Sequence, residues 1–264
     1  MSASNLQSIN TLESRKAGDP LEITLYGVKA VFRYCPPGTF LMGSPEDEAG
    51  RNFNETQHEV TLTRGFWLLE TPVTQALWMA VTGMNPSRFR GADARPVESV
   101  SWNDCNKFIR KLNDAKVAPD GMKFDFPTEA EWEYACRAGT TTRYYCGDDL
   151  TESDANFGRI FRGTTPVKSF APNAWGVYDM HGNVWEWCSD WNGFYSPEPT
   201  TDPQGVKTGL ERVLRGGCWN CNAKELRSAC LNHENPSFTN SLSDFWIPDI
   251  CKFCGVRLAL RSLN

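Results

Sequence analysis

The stretch GVYDMHGNVWEWCSDW, residues 176–191, combines glycine turn positions with three tryptophans. Trp185 and Trp187 flank Glu186 within it. Aromatic side chains supply large buried surfaces, and a buried carboxylate needs hydrogen-bond partners. The residues by themselves therefore indicate a turn in which both indoles pack and the Glu186 carboxylate is hydrogen-bonded.

The composition around this stretch is that of an aromatic-rich globular protein. The chain has 264 residues, of which 40% are apolar and 12% aromatic. A chain of this length buries roughly 70% of its unfolded surface, so a core can form without disulfides or metals. Sixteen prolines and 21 glycines indicate many loops. We predict one loop-rich domain of mixed α+β class.

Charge and hydropathy exclude two classes of partner. The net charge is −5, and lysine and arginine form no dense cluster, so the basic surface that binds a phosphate backbone is missing. No apolar run approaches the roughly 18 residues that a membrane span needs. We expect a monomer that binds no nucleic acid and has no membrane span. The first residues lack the apolar stretch of a signal peptide, so we expect a cytoplasmic protein, or one at the cell surface if an N-terminal signal or lipoprotein anchor was removed.

The chain divides into an arm and one domain. Residues 1–18 are polar and without periodicity, which predicts a flexible N-terminal arm before a single domain at 19–264. Apolar and polar residues alternate from Leu21 to Ser44, which predicts two strands joined by turns. The acidic stretch that follows predicts a loop.

Hydroxyl residues mark the starts of three predicted helices. Thr74 precedes QALWMAV, Ser101 precedes WNDCNKFIRKLND and Thr128 precedes EAEWEYACRAG. Asp104 and Glu131 stand three residues after their caps and complete two capping boxes. Gly139 is the predicted end of the third helix.

Five separated blocks occur in one order along the chain. They are TPVTQALWMAVTGMNPSRF (71–89), RPVESVSWNDCNKFIRKLN (95–113), FPTEAEWEYACRAGT (126–140), the stretch at 176–191, and RVLRGGCWNC with CGVRLAL (212–221 and 254–260). In these blocks the chain resembles the formylglycine-generating enzyme, or sulfatase-modifying factor, family from about residue 34 to 260. The resemblance implies that family's C-type-lectin-like fold, which has few regular elements and many loops.

The family resemblance implies an oxidase as one functional class. Its copper-dependent members convert a sulfatase cysteine to formylglycine and hold Cu(I) with two cysteine thiolates five residues apart, because soft sulfur ligands suit that ion. Here Cys221 stands at the first position and Leu226 at the second, while Cys218 replaces a serine common in the oxidases. An oxidase or diverged relative that uses Cys221 as its catalytic residue is therefore the alternative function.

A second class in the family joins sulfur to histidine derivatives with iron. It needs three histidines, two of them close together on a helix. The three histidines of this chain, His58, His181 and His233, are widely spaced, which excludes this class.

The third class comprises non-catalytic binding proteins. The segment GGCWNCNAKELRSACLNHENPSFTN, residues 216–240, resembles the C-terminal segment of variable proteins of diversity-generating retroelements, in which mutagenesis at adenines changes asparagine codons. The resemblance implies a variable-like segment at about 218–254 whose side chains form a solvent-facing, irregular surface. Aromatic anchors surrounded by short polar groups suit ligand binding. The additional stretch SLSDFWIPDICKF, residues 241–253, departs from that pattern and enlarges the loop.

We therefore expect a non-catalytic binding protein whose partner is a protein or a surface ligand and whose C-terminal segment is diversified. The side chains expected to contact the partner are Trp219, Asn220, Cys221, Asn222, Leu226, Cys230, Asn232, His233, Asn235, Phe238, Asn240, Asp244, Phe245 and Trp246. In this interpretation the cysteines of the segment have no chemical role.

The ten cysteines are expected to be free and buried, because the chain is long enough to form a core without disulfides. Cys218-x2-Cys221 and Cys251-x2-Cys254 imitate a four-cysteine zinc site on neighbouring strands of the implied fold. Their separation is longer than usual, and residues i and i+3 of a strand face opposite sides. We favour unliganded thiols, two buried and two exposed, over zinc.

The stretch at 176–191 also resembles a calcium loop of the family. The resemblance implies carboxylate ligands from Asp179 and Glu186 and backbone carbonyl ligands from Gly182 and Val184, which are the hard oxygen donors that Ca²⁺ prefers. A structural calcium ion and a packed turn with a hydrogen-bonded Glu186 are the two open interpretations.

The third predicted helix carries Glu129, Glu131 and Glu133. Their spacing does not bring the carboxylates together for acid–base catalysis, and the first turn of a helix favours acidic residues electrostatically. We expect them to cap the helix and to lie on the surface.

Overall fold

Hydroxyl-capped helices form where the sequence predicts them. The computed structural model of the chain describes residues 15–238 and 253–263. In these residues Thr74, Ser101 and Thr128 each accept a hydrogen bond from a backbone N–H of the following helical turn. The α-helices are α1 (Gln75–Thr82), α2 (Trp102–Asp114) and α3 (Glu129–Arg137). Ala138, and not the predicted Gly139, takes the left-handed position that ends α3.

Short strands make up most of the remaining regular structure. The described strands are β1 (Pro20–Leu25), β2 (Val28–Cys35), β3 (Gly38–Met42), β4 (His58–Leu62), β5 (Phe66–Leu69), β6 (Met122–Asp125), β7 (Trp185–Trp191), β8 (Thr200–Thr201), β9 (Arg212–Arg215), β10 (Leu231–Glu234), β11 (Cys254–Val256) and β12 (Ala259–Ser262). Long irregular connections separate many of them. The predicted α+β, loop-rich class is confirmed.

Three sheets organise these strands. The first has the order β1-β2-β5-β12-β6, so the last strand of the chain lies between two earlier ones. The second has the order β10-β9-β7-β11, in which β11 is parallel to β7. The third is the small sheet β3-β4-β8. The sequence predicts that the segments carrying Cys218 and Cys254 are neighbouring strands. This prediction is wrong, because Cys218 follows β9, Cys254 begins β11, and β7 lies between these two strands.

The N-terminal region contains three strands where the sequence predicts two. Tyr26 and Gly27 both have positive φ, at 49° and 82°, and turn the chain between β1 and β2. Such a turn fits the twist of a two-residue hairpin. The apolar–polar alternation continues through it, so periodicity did not reveal the break.

The three carboxylates of α3 are buried, which corrects the surface prediction. Glu129, Glu131 and Glu133 are at most 9% exposed. The helix contacts β3, β7 and β9, so it has no solvent-facing side. Burial of a carboxylate is tolerated when a cation pairs with it. Arginines on distant strands supply that positive charge. The predicted capping role of Glu131 is confirmed, because its carboxylate accepts a hydrogen bond from the Thr128 backbone N–H.

Two tryptophans of the stretch at 176–191 pack in the core as predicted. Trp185 and Trp187 are 1% and 0% exposed. The indole N–H of Trp187 donates to the Val100 carbonyl at 3.0 Å. Gly182, with φ of 82°, lies so close to the Asn156 carbonyl that a Cβ would be 2.2 Å from its oxygen. Only glycine fits this close approach.

The predicted arm, residues 1–18, overlaps the described residues only at its end. There the backbone N–H of Gly18 donates to the Tyr34 carbonyl at 2.9 Å, and the guanidinium of Arg15 lies over the Trp67 ring. Residues 15–18 therefore pack on the domain. None of the described helices is long and apolar enough to cross a membrane.

Candidate binding surface and cysteine pair

Two glycines lead from β9 into the candidate segment. Gly216 and Gly217 have φ of 93° and 75°, a region that favours glycine. A Cβ on Gly217 would lie 2.6 Å from Cδ1 of Leu226. The Gly-Gly pair therefore allows the chain to turn tightly while Leu226 packs against it.

Cys218 and Cys221 lie in a tight turn directly after the glycines. The backbone N–H of Cys221 donates to the Cys218 carbonyl at 2.9 Å, and the two sulfur atoms are 3.2 Å apart. The Cys218 thiol is also 2.9 Å from Oδ1 of Asn220. In a turn, unlike a strand, residues i and i+3 can face the same side, so the prediction that these thiols face apart is wrong.

Both thiols of this pair are buried, at 0% and 4% exposure, and Cys254 is buried at 2%, which corrects the prediction that two of the four thiols would be buried and two exposed. Burial raises the pKa of the Cys218 thiol well above its ordinary value, and the adjacent Cys221 raises it further. Metal ligation requires thiolates, so this environment opposes it. Cys251 lies outside the described residues, and the four-cysteine arrangement stays untested. The nine cysteines that the structure describes are free, as predicted, but Cys146 is exposed, which corrects the prediction that all of them are buried.

Leu226 is fully buried at the position where the family's oxidases carry their second copper ligand. Its side chain contacts the Gly217 backbone, and its carbonyl is 2.7 Å from Nδ1 of His181. His181 is itself buried, which lowers its pKa to about 3 and keeps the ring neutral. Leu226 thus belongs to the framework of the segment and supplies neither a metal ligand nor a surface contact.

Arg227 anchors the segment to the acidic loop that precedes β4. Its guanidinium forms hydrogen bonds of 2.7 Å to each carboxylate oxygen of Glu55 and one of 2.6 Å to Glu48. Burial by itself would raise the pKa of Glu55, but hydrogen bonds from Arg227 and Ser44 outweigh it and lower the pKa. This buried network was not predicted from the sequence, because its members are far apart along the chain.

The predicted contact residues divide into outward and buried groups. Asn222 and Asn235 are exposed. Trp219, Asn220, Asn232, His233 and Phe238 are partly exposed. Cys221, Leu226 and Cys230 are buried, at no more than 4% exposure, so the prediction that they contact a partner is wrong. The other predicted contacts, Asn240, Asp244, Phe245 and Trp246, lie outside the described residues.

Trp219 is held by two aromatic rings that the sequence did not identify. Its ring meets Phe89 at 5.3 Å and Phe253 at 5.0 Å between centroids, both edge to face. Its backbone N–H donates to the Asn183 carbonyl at 3.1 Å. Trp219 is therefore a fixed aromatic element at the edge of the segment, next to the adaptable asparagines.

The Glu186 carboxylate is paired with Arg257, as the packed-turn interpretation requires. Arg257 donates from Nη2 to Oε1 at 2.7 Å and from Nε to Oε2 at 2.9 Å, and the Trp132 indole donates to Oε2 at 2.7 Å. All of these groups are buried. The charge that calcium would need from Glu186 is already neutralised, so Glu186 as placed does not fit as a ligand.

Asp179 is the remaining carboxylate of the predicted calcium loop. Burial raises its pKa to about 6, and its Oδ2 accepts one hydrogen bond of 2.9 Å, from the Lys168 backbone N–H. Asp179 and Gly182 have left-handed φ of 56° and 82°, so the turn that carries the Gly182 and Val184 carbonyls is tight. No group of three or more His, Cys, Asp and Glu side chains in residues 15–238 and 253–263 is arranged to hold a metal. Calcium stays a prediction that rests on Asp179 and backbone oxygens.

Known proteins resemble this chain along most of its length. The profile of the sulfatase-modifying factor enzyme 1-like domain family matches residues 31–245. The serine/threonine-protein kinase pkn1 of Chlamydia caviae is 36% identical over 228 residues, which are 79% of this chain and 36% of that protein. The formylglycine-generating enzyme of Streptomyces coelicolor is 39% identical over 168 residues, which are 54% of this chain and 50% of the enzyme. The chain thus spans half or less of the length of these relatives.

A solved structure matches the whole architecture. Treponema denticola variable protein 1 superposes with a TM-score of 0.77 and 27% identity, over 92% of this chain and 99% of that one. This match confirms the predicted fold and the resemblance to a variable protein, and the family profile and the Streptomyces enzyme confirm the resemblance to the formylglycine-generating enzyme family.

Proposed function

The chain belongs to the sulfatase-modifying factor enzyme 1-like domain family, and we propose that it is a non-catalytic member that presents residues 219–238 to a protein or surface ligand. One observation carries this proposal. Leu226, at the family's second copper-ligand position, is fully buried against Gly217 and has no ligand atom. The family's copper site therefore cannot be built from its usual pair of residues.

The way the segment is held also supports binding. On the buried side of the segment, Arg227 pairs with Glu55, and His181 contacts the Leu226 carbonyl. On the other side, Asn222 and Asn235 are exposed to solvent. A rigid support with outward polar groups loses little conformational entropy when a ligand binds. Partly exposed Trp219 and Phe238 add the aromatic area typical of binding hot spots.

The likeness to a variable protein supports diversification of the same segment. If it is diversified, the DNA beside the gene will contain a near-identical copy of the segment that differs at adenines, next to a reverse transcriptase gene. Sequencing that region tests this part of the proposal. The lack of such a copy would leave a binding protein with a fixed surface.

An oxidase is the second candidate function, and one distance favours it. Cys218 places a sulfur 3.2 Å from that of Cys221, so a second soft ligand exists at a position the family does not use. Against it stand the burial of both thiols and the raised pKa of Cys218, which disfavour the thiolates that Cu(I) binds.

An activity assay separates the two candidates. The purified chain is loaded with Cu(I) and incubated with oxygen and a cysteine-containing peptide, and the products are followed by mass spectrometry. We expect no conversion to formylglycine. Turnover that disappears in Cys221→Ser and persists in Cys146→Ser, where an exposed cysteine is changed, would overturn the binding proposal. Loss of that turnover in Cys218→Ser as well would assign the unusual sulfur pair to the oxidase.

A further inference from the structure

A cavity of about 400 Å³ lies beside the N-terminus of α3, and no residue of the segment 216–238 lines it. Its walls come from the start of β4, the end of β7 and the segment 193–206, which contains β8. The side chains that give it its chemistry are His58, Glu129, Asp190, Trp191, Phe194 and Tyr195. Cavities of this volume are typical of small-molecule sites.

Asp190 gives the cavity a carboxylate that lacks an ion-pair partner among the described residues. It is 3% exposed and accepts hydrogen bonds from the Glu129 backbone N–H at 2.9 Å and the Ser189 hydroxyl at 2.8 Å. Arg212 is close enough to interact electrostatically with Asp190, but its guanidinium carbon lies over the Trp191 ring, 3.5 Å from the ring centroid. Burial, and next the Glu129 carboxylate, raise the pKa of Asp190 to about 7. A buried carboxylate in this position favours a cation beside it.

The neighbouring charges do not supply that cation. Glu129 lies 3.1 Å from Nε of Arg215, and the same guanidinium also pairs with Glu133. Glu133 is in turn paired with Arg137. Both guanidinium groups of this cluster are thus occupied by glutamates, and neither forms an ion pair with Asp190.

His58 adds a second hydrogen-bond acceptor to the lining of the cavity. The residue is 5% exposed, and its Nδ1 is 3.0 Å from the Thr56 carbonyl, which places the proton on Nδ1 when the ring is neutral. Nε2 is then a lone-pair acceptor, and it has no hydrogen-bond partner in the described part of the chain. Thr200, another lining residue, has a buried hydroxyl that likewise makes no hydrogen bond to the described residues. The cavity is thus rich in acceptors, which suits a ligand rich in N–H donors.

Aromatic rings form the rest of the wall. Tyr195 lies against His58 with ring centroids 5.3 Å apart, and Phe194 is 85% exposed. Aromatic faces attract organic cations and cover apolar ligand parts. The guanidinium of Arg212 over Trp191 is an example of such a contact at this wall.

We propose that this cavity binds a small organic cation, an ammonium or guanidinium group attached to an apolar body. Asp190 and Nε2 of His58 accept hydrogen bonds from the cationic group, and Phe194 and Tyr195 pack on the apolar part. The site is independent of the surface at 219–238, so its test does not depend on the function proposed for that surface.

Phenethylamine and agmatine are suitable probes, and phenethyl alcohol is the neutral control. Titration of the purified chain by calorimetry and thermal melting is expected to give saturable binding and a rising Tm with either amine, and neither effect with the alcohol. Asp190→Asn is expected to weaken amine binding at least tenfold. Glu198→Gln removes an exposed carboxylate from the same loop without altering the lining, and is expected to bind as the wild type does.

Phe194→Ala keeps the test decisive if Asp190→Asn does not fold. The ring is almost entirely exposed, so its removal leaves the core intact and is expected to weaken amine binding several-fold. The proposal is overturned if neither amine binds at millimolar concentration, if the alcohol binds as well as the amines, or if folded Asp190→Asn keeps wild-type affinity. Unchanged binding by Phe194→Ala would overturn the assignment of the aromatic wall.

Discussion

The sulfur atoms of Cys218 and Cys221 lie 3.2 Å apart inside the protein, within a turn closed by a 2.9 Å backbone hydrogen bond. The turn aims both side chains inward, where they join the main hydrophobic cluster of the domain. Outward asparagines stand next to them in sequence. One short segment thus provides both a buried framework and an exposed surface.

This burial predicts the order in which the cysteines react. Cys146 is exposed, whereas the other described cysteines are buried. Iodoacetamide is therefore expected to modify Cys146 first in the native protein, and Cys218 and Cys221 only after denaturation, as read by peptide mass spectrometry. Rapid labelling of Cys221 in the native state would contradict the closed turn.

Stability is expected to separate framework positions from surface positions of the segment. Leu226→Ala removes a fully buried side chain and is expected to lower the free energy of unfolding by about 2–5 kcal/mol. Asn222→Ala, at an exposed position, is expected to change it by less than about 0.5 kcal/mol. Urea titrations measure both values. Equal losses of unfolding free energy in the two variants would contradict the division of the segment into a buried framework and an exposed surface.

The Arg227–Glu55 pair predicts both a loss of stability and its pH dependence. Arg227→Gln leaves the buried Glu55 carboxylate without its cation and is expected to cost about 3–5 kcal/mol near neutral pH. The paired Glu55 has a folded pKa below its unfolded value, so its contribution is present above the unfolded pKa and is lost as the pH falls through the folded pKa. The difference between wild type and variant should therefore shrink in acid.

An exposed ion pair provides the control for this experiment. Lys29 and Glu22 form a salt bridge with side chains 64% and 60% exposed. Lys29→Gln is expected to cost less than about 1 kcal/mol, since solvent screens such pairs. If Arg227→Gln costs no more than this control, the buried pair does not anchor the segment.

Calcium binding is expected to depend on Asp179. Addition of millimolar CaCl2 to protein treated with a chelator should raise the Tm of the wild type, because a ligand that binds the native state stabilises it. Asp179→Asn should abolish the shift, and Asp149→Asn, at an exposed aspartate, should leave it unchanged. A wild-type Tm that does not respond to calcium would show that the turn at 179–184 is held by its own hydrogen bonds alone.

Features encoded by neighbouring residues could be predicted from the sequence. The three helix starts follow from a hydroxyl residue and the first-turn N–H groups it can reach, so Thr74, Ser101 and Thr128 were sufficient. Packing of Trp185 and Trp187 follows from their size and from the alternation around Glu186. In the candidate segment, the interpretation that Leu226 replaces a copper ligand also depended only on its position in the sequence.

Contacts between distant residues could not be predicted in this way. The carboxylates of α3 look like surface residues until arginines from β9 and β12 reach them. Glu186 resembles a metal ligand until Arg257, 71 positions later, occupies both of its oxygens. The burial of Cys221, Leu226 and Cys230 likewise depends on what packs over them and not on their residue types.

The sequence by itself determined the family, the mixed loop-rich fold and the helix boundaries to within one or two residues, because these depend on local capping, periodicity and ordered motifs. The tertiary structure alone decided which carboxylates are neutralised and which side chains of the segment at 219–238 reach solvent. The physical reason is that desolvation and ion pairing are set by neighbours in space, and chain folding brings those neighbours together from 71 to 172 positions apart, as for Glu186 with Arg257 and Glu55 with Arg227.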